Sequence, residues 1–154
     1  MELSAPARRA AKRGHRRTGR FVLLDVDASI VGGRRHGLER AVGILLENAA
    51  KLDLDGDGPI EVHVRQGRIT VRDHGPGVDD VDAERVFGRF YRADTARSLP
   101  GSGLGLAIVR DVAEAHRGTV FARTRPGGGA EVGFTLERAR IRGPETPGAE
   151  LSGT

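Results

Sequence analysis

The chain has 154 residues, a formal net charge of +4 at pH 7 and no cysteine. This length fits one domain with a single buried core, and the lack of cysteine excludes disulfide bonds and cysteine-based metal sites. No apolar run approaches the roughly 18 residues that cross a bilayer, and no signal-peptide pattern is present, so we expect a cytoplasmic protein without direct membrane insertion.

Residues 1–20 hold much of the positive charge. They contain six arginines and one lysine, opposed only by Glu2, and show no apolar period. Aromatic residues make up 4% of the chain, and none is interleaved with this basic run as a base-stacking surface would require. The pattern therefore predicts a basic, disordered tail and argues against a nucleic-acid partner.

Apolar periodicity predicts one domain over residues 21–137, followed by a flexible tail over residues 138–154. The predicted elements, in chain order, are a strand at 21–26, a helix at 38–52, a hairpin at 60–71, a short helix at 81–91, a mobile loop at 92–102, a helix at 104–116 and a strand pair at 120–136. Such interleaving indicates an α+β fold, a two-layer α/β sandwich whose helices cover one face of a mixed sheet.

The predicted helix at 38–52 carries polar side chains beside its apolar stripe. Ile44, Asn48 and Lys51 follow one another at spacings of four and three residues, so they share one flank. A carboxamide oxygen can coordinate Mg²⁺, and an ammonium group one turn away can neutralise a phosphate oxygen. The competing interpretation, in which Asn48 and Lys51 are solvated surface residues, remains open on this helix alone.

A second candidate segment follows the predicted hairpin at residues 73–77. A carboxylate at the end of a strand, here Asp73, can accept a hydrogen bond from an exocyclic amine. Gly75 and Gly77 allow a sharp turn and a close approach of the backbone to a flat ligand. An ordinary Gly-Pro turn beginning with aspartate is the alternative.

Two more segments could contact phosphate. Phe87 and Phe90 are predicted core residues, and Arg89 and Arg92 lie off the face that these two share. There a guanidinium group can bind phosphate or simply face solvent.

The start of the predicted helix at 104–116 offers free amides and a favourable dipole to an anion. It is neither a P-loop nor a Rossmann motif, because no Lys-Ser/Thr pair follows and no strand precedes. Its residues are Gly101, Ser102, Gly103, Leu104 and Gly105.

In their order and spacing, these four segments resemble the N, G1, F and G2 boxes of the histidine-kinase ATPase family. This family has the Bergerat (GHKL) fold, which it shares with gyrase and Hsp90. The resemblance covers residues 21–136 and rests on DxGxG at 73–77, FxRFYR at 87–92 and GSGLGLAIV at 101–109. It implies the ATP-binding catalytic domain of a two-component sensor histidine kinase of actinobacterial type, with ATP and Mg²⁺ as ligands.

The resemblance also implies roles for single residues. Asn48 would hold Mg²⁺, Asp73 would accept the adenine amino group, and Arg92 would approach the γ-phosphate, so that Asn48, Lys51 and Arg92 act in catalysis. The implied nucleotide-binding set is Asn48, Lys51, Asp73, Gly75, Gly77, Arg89, Arg92, Gly101, Ser102, Gly103, Leu104 and Gly105. Ile44 departs from the family pattern, which has asparagine there, or glutamate as a hydrolytic base in gyrase-like relatives. Leu52 replaces a frequent tyrosine.

None of the five histidines has the setting of a phosphorylated histidine, which lies on a helical hairpin before this domain. We therefore expect a split kinase, in which the acceptor histidine belongs to a separate dimerisation and phosphotransfer protein that passes the phosphoryl group to a response regulator. Two alternatives remain open: a serine kinase of the anti-sigma-factor type, and a non-catalytic ATP-binding module that regulates a partner by docking.

Overall fold

The computed structural model describes residues 1–53, 58–78, 86–88 and 105–137. The elements within these ranges are α1 (Ser4–Thr18), β1 (Val22–Val26), α2 (Arg35–Leu52), β2 (Ile60–Arg65), β3 (Arg68–Arg72), α3 (Gly105–Ala115), β4 (Thr119–Thr124) and β5 (Ala130–Thr135). The predicted helix at 81–91, apart from residues 86–88, lies outside the described residues, as do the loop at 92–102 and the tail at 138–154.

The strands form one five-stranded mixed sheet in the order β1-β2-β3-β5-β4. β1 runs parallel to β2, and the other neighbouring pairs are antiparallel. Because parallel neighbours need a crossover, α2 connects β1 to β2. This arrangement confirms the predicted α+β fold with a mixed sheet, and β2 and β3 confirm the predicted hairpin.

The sheet turns its apolar residues toward the helices. Val62 of β2 lies opposite Leu24 of β1 and Val71 of β3, and Val71 lies opposite Val132 of β5, so these residues share one face. Over that face, α1 contacts β1, α2 contacts β2 and β3, and α3 contacts β4 and β5. The helices are therefore arranged in the order α1, α2, α3 across the sheet.

Helix α2 forms the centre of the core. Its predicted apolar stripe is confirmed, since the buried residues of this helix include Leu38, Val42, Leu45 and Ala49. Phe87, a predicted core residue, is 2% exposed, whereas Phe90 lies outside the described residues. Within the described ranges, no helix combines the length and apolar character that crossing a membrane requires.

The prediction of a disordered tail over residues 1–20 is wrong, because residues 4–18 form α1. One side of this helix consists of small residues that are buried against α2, among them Ala7, Ala10 and Gly14. A Cβ atom added to Gly14 would lie 3.2 Å from Leu46 Cδ1 of α2, so the two helices approach closely. Alanine and glycine contribute little to a hydropathy pattern, and the surrounding arginines lower the mean hydropathy of this segment. The buried side of α1 was therefore not recognisable from the sequence.

Substitution at the α1–α2 contact tests whether α1 belongs to the folded domain. Ala7 is 0% exposed, so Ala7→Glu would bury a charge with no partner and lower the free energy of unfolding by about 2–4 kcal/mol. The exposed Lys12 provides a control on the same helix, and Lys12→Glu should change stability by less than about 0.5 kcal/mol. Urea denaturation measures both variants. If Ala7→Glu changed stability as little as Lys12→Glu, the result would contradict the packing of α1 against α2.

Candidate functional site

The first part of the site is the carboxylate of Asp73, which directly follows β3. Asp73 is 2% exposed. Its Oδ1 accepts hydrogen bonds from the backbone N–H groups of Gly75, at 2.8 Å, and Ala130, at 3.1 Å. None of the described residues donates a hydrogen bond to Oδ2. The two amides therefore fix the orientation of the carboxylate and leave its second oxygen available to a donor from a ligand.

The surroundings of Asp73 make its charged form costly. Burial raises the pKa of this carboxyl above its ordinary value of 3.8, and the nearby Asp53 acts in the same direction. The hydrogen bonds from Gly75 and Ala130 act in the opposite direction but do not outweigh burial. A ligand N–H group that bonds to Oδ2 would relieve this cost, so the site favours a donor over an acceptor.

Glycines bring the chain after Asp73 close to α2 and β4. A Cβ atom added to Gly75 would lie 2.6 Å from the backbone oxygen of Leu52, at the end of α2. Gly77 has a φ of 87°, in the left-handed region, and an added Cβ would lie 2.9 Å from Thr124 Oγ1. Side chains at these two positions would push the turn away from its neighbours, so both glycines are required by the geometry.

Helix α2 connects the remaining described parts of the site. A Cβ atom added to Gly105, at the start of α3, would lie 3.0 Å from Ile44 Cγ2. Ile44 and Leu52 are eight residues apart, about 12 Å along a helix, and Asn48 lies midway. The last turns of α2 therefore place Asn48 between Gly105 at one end and Gly75 at the other.

Asn48 and Lys51 have no hydrogen bond or ion pair with any other residue in the described part of the chain. Asn48 is half-buried and Lys51 is exposed. The described residues include no cluster of three or more histidine or acidic side chains that could hold a metal ion alone. A single free amide oxygen nevertheless fits Mg²⁺, which keeps several waters and takes further ligands from substrate phosphates.

Several predicted site residues lie outside the described residues, so the structure does not test their placement: Arg89, Arg92, Gly101, Ser102, Gly103 and Leu104. The described residues that it does bring together are Asn48, Asp73, Gly75, Gly77 and Gly105, with Lys51 one turn beyond Asn48.

Two charged residues beside the site were missed by sequence analysis. Asp53 is 3% exposed, and its Oδ2 accepts hydrogen bonds from His74 N–H at 3.1 Å and from Arg20 Nη2 at 3.2 Å. Arg20 also donates to the backbone oxygens of Asp53, at 2.9 Å, and Gly58, at 3.0 Å. Arg20 thus neutralises Asp53, which in turn holds the backbone directly after Asp73.

The Arg20–Asp53 contact should make a measurable contribution to stability. Arg20→Gln removes the cation that pairs with the buried Asp53 carboxylate and leaves it the N–H of His74 as a donor, so we expect the free energy of unfolding to fall by about 2–4 kcal/mol. Asp53→Asn in the same chain should restore part of that loss. The matched control is Arg17→Gln, because Arg17 pairs with Glu47 at the surface and its loss should cost at most about 1 kcal/mol. Equal losses in the two single variants would contradict the assignment.

The ionisation of Asp73 predicts a specific dependence of stability on pH. Because its pKa is raised in the folded chain, the folded protein retains a proton that the unfolded chain releases just above pH 3.8. The stability that this group contributes is complete below that pH and is lost as the pH rises through the folded pKa. Asp73→Asn can keep both backbone hydrogen bonds and has no proton to lose. The variant should therefore gain stability relative to the unsubstituted chain as the pH rises from about 3.5 to 7.

Asp25 provides a control of opposite sign for this measurement. A hydrogen bond from Arg65 lowers the pKa of the Asp25 carboxyl, so its contribution to stability is lost as the pH falls. Asp25→Asn should therefore lose stability relative to the unsubstituted chain over the same rise in pH. Denaturation series without nucleotide measure both differences. A trend of the same sign in both variants would contradict the environment described for Asp73.

Comparisons with known proteins agree with this geometry. Residues 33–140 match the family described as histidine kinase-, DNA gyrase B- and HSP90-like ATPases. A signal transduction histidine-protein kinase/phosphatase MprB of Mycolicibacterium smegmatis is 42% identical over 134 residues, which cover 79% of this chain and 27% of that protein. The sensor histidine kinase component HK1 of Mycobacterium tuberculosis is 47% identical over 107 residues, which cover 67% of this chain and 62% of that protein.

A solved structure is similar over nearly the whole length of this chain. The structure of a mycobacterial sensor histidine kinase MprB superposes with a TM-score of 0.79 and 31% identity, covering 92% of this chain and 99% of that chain. By contrast, this chain spans about a quarter (27%) of the length of the MprB relative named above. The chain belongs to the family of histidine kinase-, DNA gyrase B- and HSP90-like ATPases, and within it to the ATP-binding catalytic domains of sensor histidine kinases.

Proposed function

We propose that this chain binds Mg²⁺-ATP between the end of β3, the last turns of α2 and the start of α3. It then transfers the γ-phosphoryl group to a histidine on a separate protein. The observation that carries the proposal is the carboxylate of Asp73, which is oriented by two backbone amides and keeps one oxygen for a ligand.

The same carboxylate supports a preference for adenine. The exocyclic amine of adenine is a donor that can bond to Oδ2 of Asp73. Guanine presents a carbonyl oxygen at the corresponding position, and two acceptors facing each other in a buried site repel. The burial that raises the pKa of Asp73 also makes an unpaired charge on this carboxylate costly, so a donor from the ligand stabilises its ionised form.

The chain's own residues bind and position the triphosphate. Asn48 would hold Mg²⁺, which supplies charge neutralisation to the phosphate oxygens when it is bound. Lys51, Arg89 and Arg92 would contact the phosphates, and the glycines of residues 101–105 would let the backbone approach them closely. Ile44 provides no base to activate water, which favours transfer to a protein acceptor over hydrolysis.

The transfer itself needs an acceptor nitrogen with a free lone pair. A neutral imidazole nitrogen bonds to the γ-phosphorus as the bond from that phosphorus to the bridging oxygen breaks. ADP leaves with the electron pair, and the imidazole releases its proton. The work of the enzyme is mainly positioning and charge neutralisation, so the two reactants can belong to different chains.

Two histidines within this domain are poorly placed to be the acceptor. His116 uses both ring nitrogens, since Nδ1 lies 2.7 Å from the oxygen of Val112 and Nε2 accepts the N–H of Arg34 at 3.0 Å. His63 lies between the carboxylates of Asp25 and Glu61 on β1 and β2.

The name "component" of the similar M. tuberculosis protein also supports a divided kinase. A response regulator would receive the phosphoryl group next, and we place the reaction in the cytoplasm.

A transfer assay tests the proposal. The purified chain is mixed with labelled Mg²⁺-ATP and a two-helix protein that carries a candidate acceptor histidine. We expect the label to move to that protein as an acid-labile, base-stable phosphohistidine. An acid-stable phosphoserine would favour the serine-kinase alternative. ATP binding without any transfer would favour the docking module, for which the missing polar residue at Ile44 is the supporting observation.

Asp73→Asn provides the matched variant in this assay. Its amide would face the adenine amine with another donor, so ATP affinity should fall about 100-fold or more while the circular dichroism spectrum is unchanged. Asp25→Asn, which changes an exposed carboxylate, should bind and transfer like the unsubstituted chain. Unchanged ATP affinity in Asp73→Asn would contradict the proposed nucleotide site.

A further inference from the structure

Helix α1 uses its basic residues in two different ways. Arg13 pairs with Glu39 at 3.0 Å and Arg17 pairs with Glu47 at 3.3 Å, and both acids belong to α2. The remaining basic residues are exposed and have no acidic partner in the described part of the chain. We call them the basic face, which consists of Arg8, Arg9, Lys12 and Arg16. This face concentrates four unneutralised cations on one short helix.

The basic face borders a groove between α1 and β1. Arg8, Arg9 and Lys12 line one side of the groove, and Val22 and Leu24 line the other, around a volume of about 490 Å³. Phe21, at the end of the groove, is 74% exposed. An exposed apolar side chain beside unneutralised charge indicates a surface suited to a partner with both apolar and acidic groups.

The strand along this groove has a free edge. β1 is the first strand of the sheet and pairs with β2 on one side. The oxygen of Phe21 and the N–H of Asp27 bond to β2, so the odd-numbered residues turn their backbone groups toward β2. The backbone groups of Val22, Leu24 and Val26 consequently point away from the sheet. None of the described residues forms a hydrogen bond with them, and such an edge can pair with another strand.

We propose that the free edge of β1 and the basic face together bind an extended acidic segment of a partner protein, which joins the sheet as an additional strand. Backbone hydrogen bonds to Val22, Leu24 and Val26 provide the pairing, and the basic face selects acidic side chains. A second copy of this chain is disfavoured, because edge-to-edge pairing would bring two basic faces together. Nucleic acid or a lipid surface would leave the backbone edge unpaired.

The basic face and the outer edge of β1 contain none of the residues of the proposed nucleotide site. α1 and β1 are on one side of α2, whereas Gly105 and α3 are on the other. The bound segment therefore does not compete with ATP, and the proposal can fail or succeed independently of the proposed kinase function. Nucleotide affinity serves as a control for the integrity of each variant.

The experiment uses a fluorescent peptide of about ten residues in which valine and glutamate alternate, and measures its binding to the full chain by anisotropy. The test variant is Arg8→Glu with Lys12→Glu, and the control is Arg35→Glu with Arg40→Glu, which changes the net charge equally at two exposed residues of α2. We expect the test variant to lose affinity about tenfold or more and the control to stay within about twofold. Both should keep their nucleotide affinity.

The backbone edge is tested separately. Val22→Pro removes one outward N–H at the first residue of β1, where proline is tolerated, and should weaken the peptide about tenfold without changing ATP affinity. A peptide with N-methyl groups on alternate amides should also bind weakly, as should a peptide with lysine in place of glutamate. Equal binding of the methylated peptide would overturn strand addition and leave charge attraction alone.

Two further outcomes would overturn the choice of partner. The first is binding of phosphatidylglycerol vesicles or single-stranded RNA that is lost in Arg8→Glu with Lys12→Glu, together with no binding of the acidic peptide. The basic face would then bind a lipid surface or a nucleic acid. Equal peptide affinity in the test and control variants would show that the basic face has no role.

Discussion

The carboxylate of Asp73 lies where β3, β5 and the end of α2 meet, and two backbone amides hold it in place. One amide belongs to Gly75, in the turn that follows β3, and the other to Ala130, the first residue of β5. The pairing of β3 with β5 is therefore a condition for a correctly oriented acceptor oxygen. Burial makes the charge on this carboxyl costly, and none of the described residues donates a hydrogen bond to Oδ2. A donor from a ligand would therefore stabilise the charged form.

The other described parts of the site depend on the same arrangement through α2. The end of this helix is fixed near Gly75, and one flank carries Asn48 toward the start of α3. Asp53 extends the arrangement outward, since it holds the N–H of His74 and is neutralised by Arg20. Hydrogen bonds and ion pairs thus connect Arg20, before the start of β1, to the backbone next to Asp73.

Much of this fold could be predicted from the sequence, because large apolar residues mark most of the elements. The stripe of α2 and the alternation in β2 and β3 are strong periodic signals, and the site segments carry glycines at fixed spacing. Helix α1 gave no such signal, since alanines and glycine form its buried side and arginines surround them. The Arg20–Asp53 contact joins residues 33 positions apart, and no local pattern marks such a pair.

The placement of Arg20 also determines where this domain begins. The sequence pattern alone suggests a domain start at residue 21, one residue too late to include the guanidinium that neutralises Asp53. A chain shortened to that point would expose the side of α2 around Leu46, which is 1% exposed in the intact protein, and would leave a buried acid uncompensated. Truncation at residue 21 would therefore disturb the backbone next to Asp73 through the loss of Arg20, and a shortened chain should retain α1.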